Sequence, residues 1–223
     1  MADFDRAMEA VVKWEGGFVN HPDDPGGATN LGITRNTLSG WRGRPVSVEE
    51  VRDLTYEEAK AIYRTLYWDV CRCGEMEWPA ALMVFDASVN HGVRQAARFL
   101  QRAVGVTADG IIGPITLGAV QAVDAKTVAE AVAARRMAFY GELATFGVFG
   151  FGWARRLMNI LRLSLEPAPP SDKPAPPPED GEDGDAPPAA DTGTSESKPD
   201  TEAPADPDAP DTPADAPAEE PTS

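Results

Sequence analysis

The chain changes character at Glu166, and that break decides how much of it can fold. Sixteen of its 21 prolines lie from there to Ser223, mixed with Ala, Asp, Glu, Ser and Thr and with no aromatic residue. Such a segment has too little apolar surface to offset the entropy of ordering its backbone. Residues 166–223 are therefore expected to form a disordered acidic tail, and any core must come from the first 165 residues. The charge divides at the same place. From Met1 to Leu165 there are 18 Lys and Arg against 19 Asp and Glu, a net of −1; from Glu166 there are 2 against 17, a net of −15, which together give the formal −16. The folding part is near neutral and carries no broad basic field, which argues against nucleic acid as a partner.

Within those 165 residues the apolar spacing is helical, and no segment alternates like a long strand. Phe4, Met8, Val11 and Glu15 fall on one helical face, with Asp3 placed to cap it and Gly16-Gly17 to stop it. Thr34 to Trp41 reads as a short helix ending at Gly40. Ser47–Glu50 and Thr55–Glu58 carry the capping-box pattern, the second opening a helix through Trp68 with Leu54, Ala61, Ile62, Tyr63 and Leu66 as its apolar positions. Trp78-Pro79 opens a helix that breaks at Gly92, another ends near Gly105, and Pro114 starts the next. Asp124 caps a long helix to about Leu143, Gly147–Gly152 reads as a loop, and Trp153–Leu165 as the last helix. The expectation is a mainly α fold of two lobes, with a small β-hairpin or loop between Phe18 and Ile33.

That loop is where chemistry is concentrated. Lys13 to Thr34 reads KWEGGFVNHPDDPGGATNLGIT, too rich in Gly, Pro and Asp for a single helix or strand. Glu15, placed in the last turn of the first helix and facing inward, would be disfavoured in its charged form by burial and by the helix dipole. A carboxylic acid kept protonated in this way can protonate a leaving oxygen. Asp23 and Asp24 precede the turn Pro25-Gly26-Gly27, and Thr29 follows. A carboxylate and a hydroxyl there could hold and activate a water, although an Asx turn and a turn hydrogen bond would use the same residues.

The motif resembles the opening of glycoside hydrolase family 108, the bacterial and phage N-acetylmuramidases. Glu15-Gly16-Gly17-Phe18, Asn20, Asp24-Pro25-Gly26-Gly27, Thr29 and Gly32-Ile33-Thr34 match it in order. The Tyr67-Trp68 pair resembles the usual end of that family's first lobe. The second half resembles a type 3 predicted peptidoglycan-binding domain through Asp86, Asn90, Gly92, Gln101, Asp109-Gly110, Gly113-Pro114 and Thr116. The order Glu, Asp, Thr also looks like the catalytic trio of phage lysozymes, with Asp24 and Thr29 one residue closer together. The resemblance implies a two-lobed, lysozyme-like fold that hydrolyses the β-1,4 bond between N-acetylmuramic acid and N-acetylglucosamine. Glu15 is the expected acid, Asp24 the base and Thr29 the residue that places the water. Asn20 in the motif, and Asp86 and Asn90 four apart on one helical face, are the candidate substrate-binding residues; Asp86 and Asn90 could line a saccharide groove or, equally, hydrogen-bond between helices.

The expected organisation is a catalytic lobe over 1–70, a helical wall-binding lobe over 71–165 and the tail over 166–223. No cofactor is implied. Cys71 and Cys73, two apart, read as free thiols, and with two histidines in the chain a zinc site is not expected. No apolar run is long enough to span a bilayer, and no secretory leader opens the chain. The expectation is therefore a monomer made in the cytoplasm that reaches the wall through a holin or assisted export. A lytic transglycosylase and a non-catalytic wall-binding or assembly protein are the rival readings.

Overall fold

The computed structural model describes residues 4–20 and 27–167. Asp3, Asp23, Asp24 and nearly all of the acidic tail lie outside them. The protein is mainly helical. The first helix, α1 (Phe4–Val12), buries Phe4, Ala7, Met8, Ala10 and Val11, the stripe its sequence spells. A two-residue hairpin follows, β1 (Thr29–Asn30) against β2 (Ile33–Thr34), with Thr29 opposite Thr34 and Asn30 opposite Ile33. Its turn residues Leu31 (φ 51°) and Gly32 (φ 73°) both sit at positive φ, as a tight hairpin turn matching strand twist requires. Val19 bridges to Thr29, which ties the segment after α1 to the hairpin.

Helix α2 (Arg35–Arg42) is capped by Thr34 and stops at Gly43 in the left-handed conformation, three residues beyond the Gly40 expected from the sequence. Helix α3 (Val48–Arg52) has its full capping box, Ser47 with Glu50. The N-terminus of α4 (Tyr56–Tyr63) has only half of one: Thr55 accepts from the Glu58 amide, while the Glu58 carboxylate takes two bonds from Arg42 at 2.9 and 2.7 Å. Beyond Tyr63 the helix widens into a π-turn over Arg64–Trp68, closed by Asp69 N–H donating to Arg64 C=O. The wider turn shifts the register. Leu66 turns out to solvent and Trp68 turns in, against Phe4 and Phe85.

Helix α5 (Trp78–His91) is the axis of the molecule, with 11 of its 14 residues buried. Around it pack α6 (Val93–Ala103), α8 (Ala125–Glu142) and α9 (Phe146–Leu165), with α7 (Pro114–Gln121) against α8. Helix α9 begins earlier than the sequence suggests, because Gly147, Gly150 and Gly152 are helical rather than a loop. The cause is packing. A side chain on Gly150 would meet the Phe146 ring at 2.7 Å, and Phe146, Phe149 and Tyr140 gather round Trp153. Gln101 on α6 knits the Asp109–Thr116 turn: its amide donates to Asp109 Oδ1 (2.6 Å), Ile111 C=O and Thr116 Oγ1, and its oxygen accepts from Gly110 N–H. Burial pushes the Cys71 thiol up to about 12 and the Cys73 thiol well above its usual value, so both are unreactive core residues. Among the described residues no helix is long and apolar enough to cross a membrane.

Candidate active site

Helix α1 ends at Val12, and Glu15 stands just past it rather than in its last turn. Trp14 and Glu15 N–H donate to Val11 and Val12 C=O at 3.0 Å, two tight turns that swing the Glu15 side chain inward. That side chain is only 9% exposed. Arg156 Nη2 of α9 donates to Glu15 Oε1 at 2.8 Å. The other oxygen, Oε2, lies under the hairpin turn: a Cβ on Gly32 would stand 2.7 Å from it and would overlap the Tyr63 hydroxyl. Tyr63 is buried and donates to Leu31 C=O at 3.0 Å, holding the turn down. Burial first, then the Glu15 charge beside it, raises the Tyr63 phenol well above its usual value, so it acts as a neutral donor.

Arg156 is itself held from behind. Its Nε and Nη2 meet Asp86 Oδ1 at 3.0 and 2.9 Å. With its amide oxygen turned toward the guanidinium, as this cluster of donors assigns it, Asn90 accepts from Arg156 at 2.7–3.0 Å. On the far side, Arg136 of α8 makes a 2.7 Å ion pair with Asp86 Oδ2, both residues wholly buried. Glu15, Arg156, Asp86 and Arg136 thus form a chain of alternating charge through the interior. Burial pushes the Asp86 carboxyl up, but Arg156 and Arg136 pull it further down, so it stays ionised. Burial likewise lowers Arg156 and is outweighed by Asp86 and Glu15, so the guanidinium is firmly charged. The guanidinium also gives Glu15 a partner that a reading from burial and helix dipole alone omits.

The candidate residues therefore separate. Glu15, Asp86 and Asn90 come together, through Arg156. Asp86 is fully buried and Asn90 6% exposed, and of their two readings the structure describes the contacts between helices: Asp86 meets Arg156 and Arg136, and Asn90 meets Arg156. Thr29 is half-buried on β1, and its hydroxyl donates to Gly27 C=O at 3.4 Å, a weak turn bond. Asn20 is exposed. Asp24 lies outside the described residues. Sequence reasoning missed Arg156, Arg136 and the role of Gly32. The signal for the arginines was present, because each occupies a core register: Arg136 follows Val132 and precedes Tyr140 at four-residue steps, and Arg156 falls between Trp153 and Ile160.

Comparison with known proteins comes to the same region. The Glycosyl hydrolase 108 family matches residues 8–92, which contain Glu15, the hairpin and α5. The family described as Predicted Peptidoglycan domain matches residues 95–158, which contain Arg136 and Arg156. Among solved structures, the chain is similar to SagA of Brucella abortus, with 41% identity and a TM-score of 0.68 over 73% of this chain and 93% of that one. No curated protein matches.

Proposed function

This chain belongs to the glycosyl hydrolase 108 family and is a glycoside hydrolase acting on peptidoglycan, and we propose that it is an N-acetylmuramidase, cutting the β-1,4 bond from N-acetylmuramic acid to N-acetylglucosamine with inversion. Glu15 is the general acid, and Oε2, the oxygen not bonded to Arg156, is the one that delivers a proton to the glycosidic oxygen as the bond breaks. Asp24 takes a proton from the attacking water, and Thr29 places that water on the opposite face of the sugar. The observation that carries the reading is the state of Glu15: nearly buried, with Oε1 fixed by Arg156 at 2.8 Å and Oε2 directed by the hairpin. A fixed carboxyl of this kind suits general acid catalysis, which depends first on geometry. Residues 1–70 would act as the catalytic lobe and 71–165 as the lobe that holds the wall, in a monomer released to the wall by a holin or assisted export.

The test is the first product formed on purified sacculi, followed by NMR. Inversion gives a free reducing end that appears first as the α-anomer. A β-anomer first would remove Asp24 from the role of base. A 1,6-anhydro end would identify a lytic transglycosylase.

A further inference from the structure

The charge of the first 165 residues is near zero only as a sum of unlike halves. Residues 1–91 hold 9 Lys and Arg against 15 Asp and Glu, a net of −6; residues 92–165 hold 9 against 4, a net of +5. Part of that excess is gathered on α6. Arg94, Arg98 and Arg102 recur every four residues, a row about 12 Å long at about 1.5 Å of rise per residue. Arg94 and Arg102 are exposed and Arg98 is half-buried. Their guanidinium groups make no ion pair or hydrogen bond with the described residues. Asp109, the acidic group that feels Arg94, spends Oδ1 on the Gln101 amide at 2.6 Å and the Ile111 N–H at 2.9 Å. Like charges at this spacing repel and weaken a helix, so folding does not account for the row.

The turn that Gln101 knits lies against these arginines. A Cβ on Gly110 would stand 3.2 Å from Arg94 C=O and 3.5 Å from Arg98 Nε, at a backbone φ of 84°. Glycine is what lets the turn come so close. The turn then presents apolar side chains to water: Ile111 is 67% and Ile115 81% exposed. A buried amide and its four hydrogen bonds thus hold rigid a segment whose isoleucines add almost nothing to the core. Asn90, four residues before Arg94, meets the Arg156 that holds Glu15, so the row begins a short step along the chain from the site. A partner for this face needs separated anionic groups and apolar patches. Peptidoglycan has both, carboxylates on its peptides and apolar faces on its sugars, and the Predicted Peptidoglycan domain match includes Arg98, Arg102 and the turn. Nucleic acid and anionic lipid instead present dense charge, which a chain of formal charge −16 opposes.

We propose that α6 and the turn after it form a wall-binding face, with Arg94, Arg98 and Arg102 pairing with carboxylates of the peptidoglycan peptides and Ile111 and Ile115 against its sugars. The proposal rests on the reading of the chain as a peptidoglycan hydrolase. The test is sedimentation of the full chain with purified sacculi, in a Glu15→Gln background so that binding is read without cleavage. Arg94→Gln, Arg98→Gln and Arg102→Gln combined should raise the apparent Kd about tenfold at low salt, and the difference should close at high salt. The same three positions changed to Lys should restore binding, because exposed pairs of this kind need the charge rather than the guanidinium fork. Ile111→Ser with Ile115→Ser should weaken binding at both salts. The unmutated face should lose about the same tenfold on sacculi whose carboxylates have been amidated, a measurement that needs no surface variant to fold. Undiminished affinity in the folded triple Gln variant, or unchanged binding to amidated sacculi, overturns the proposal. Dimerisation, or binding to phosphatidylglycerol vesicles or duplex DNA, that is lost in the triple Gln variant also overturns it. A parent with Glu15 intact that binds through this face yet fails to clear sacculi overturns the hydrolase reading and leaves the face standing.

Discussion

Replacing His91 by Phe should flatten the acid limb of stability. His91 ends α5 within a cage of rings, 5.3 Å from Phe99, 5.4 Å from Phe139 and 5.2 Å from Tyr140. Neither ring nitrogen has a hydrogen-bond partner among the described residues. Burial, and then the Arg136 charge, push its pKa from an ordinary 6.5 down to about 2, against a smaller upward pull from Asp86. The folded state thus keeps a neutral imidazole where the unfolded chain takes up a proton. The contribution to stability is complete above pH 6.5 and is lost progressively as pH falls toward 2. At about 1.36 kcal/mol per pH unit, moving from pH 7 to pH 5 costs about 2 kcal/mol through this one residue. The assay is urea unfolding of parent and His91→Phe at both pH values. Any packing cost of the larger ring is common to both and cancels in the difference. The parent should lose about 2 kcal/mol more than the variant; equal losses would refute the reasoning.

Two further substitutions probe the site. Gly32→Ala places a methyl on Glu15 Oε2 and the Tyr63 hydroxyl at a backbone φ of 73°, so lysis should fall about 100-fold or more while helical circular dichroism is retained; a variant clearing sacculi like the parent would show that the hairpin turn does not direct Glu15. Asp86→Asn leaves Arg136 and Arg156 facing each other without their shared carboxylate, at a cost of about 3–5 kcal/mol, and a thermal midpoint close to the parent's would contradict the buried charge chain.

Much of this was legible in the sequence, for identifiable reasons. Local signals carried the element starts: Ser47, Thr55, Asp124 and Pro114 act through neighbours a few residues away and each opens its helix, although Arg42 takes the Glu58 carboxylate from the Thr55 capping box. The failures occurred where distant packing overrode local preference. The glycines of Gly147–Gly152 broke no helix because Phe146 needs the space above Gly150. The π-turn after Tyr63 put Leu66 outside because Trp68 is required between Phe4 and Phe85. Glu15 could be singled out from its stripe and its glycines. Its partner Arg156 stands 141 residues away, and only a charged residue in a core register announced it. Asp86 and Asn90 were recognised as special, but a polar pair on one helical face reads the same whether it meets a sugar or a buried guanidinium.

The central claim is that Glu15 supplies the proton that breaks the glycosidic bond, and the most direct measurement is the lytic rate of Glu15→Gln on purified sacculi. The amide keeps the size of the side chain and can still accept from Arg156, so the variant should fold. It cannot donate an acidic proton, and clearance should fall by at least about 10²–10⁴-fold. A folded Glu15→Gln protein that clears sacculi at a rate near the parent's would contradict the account.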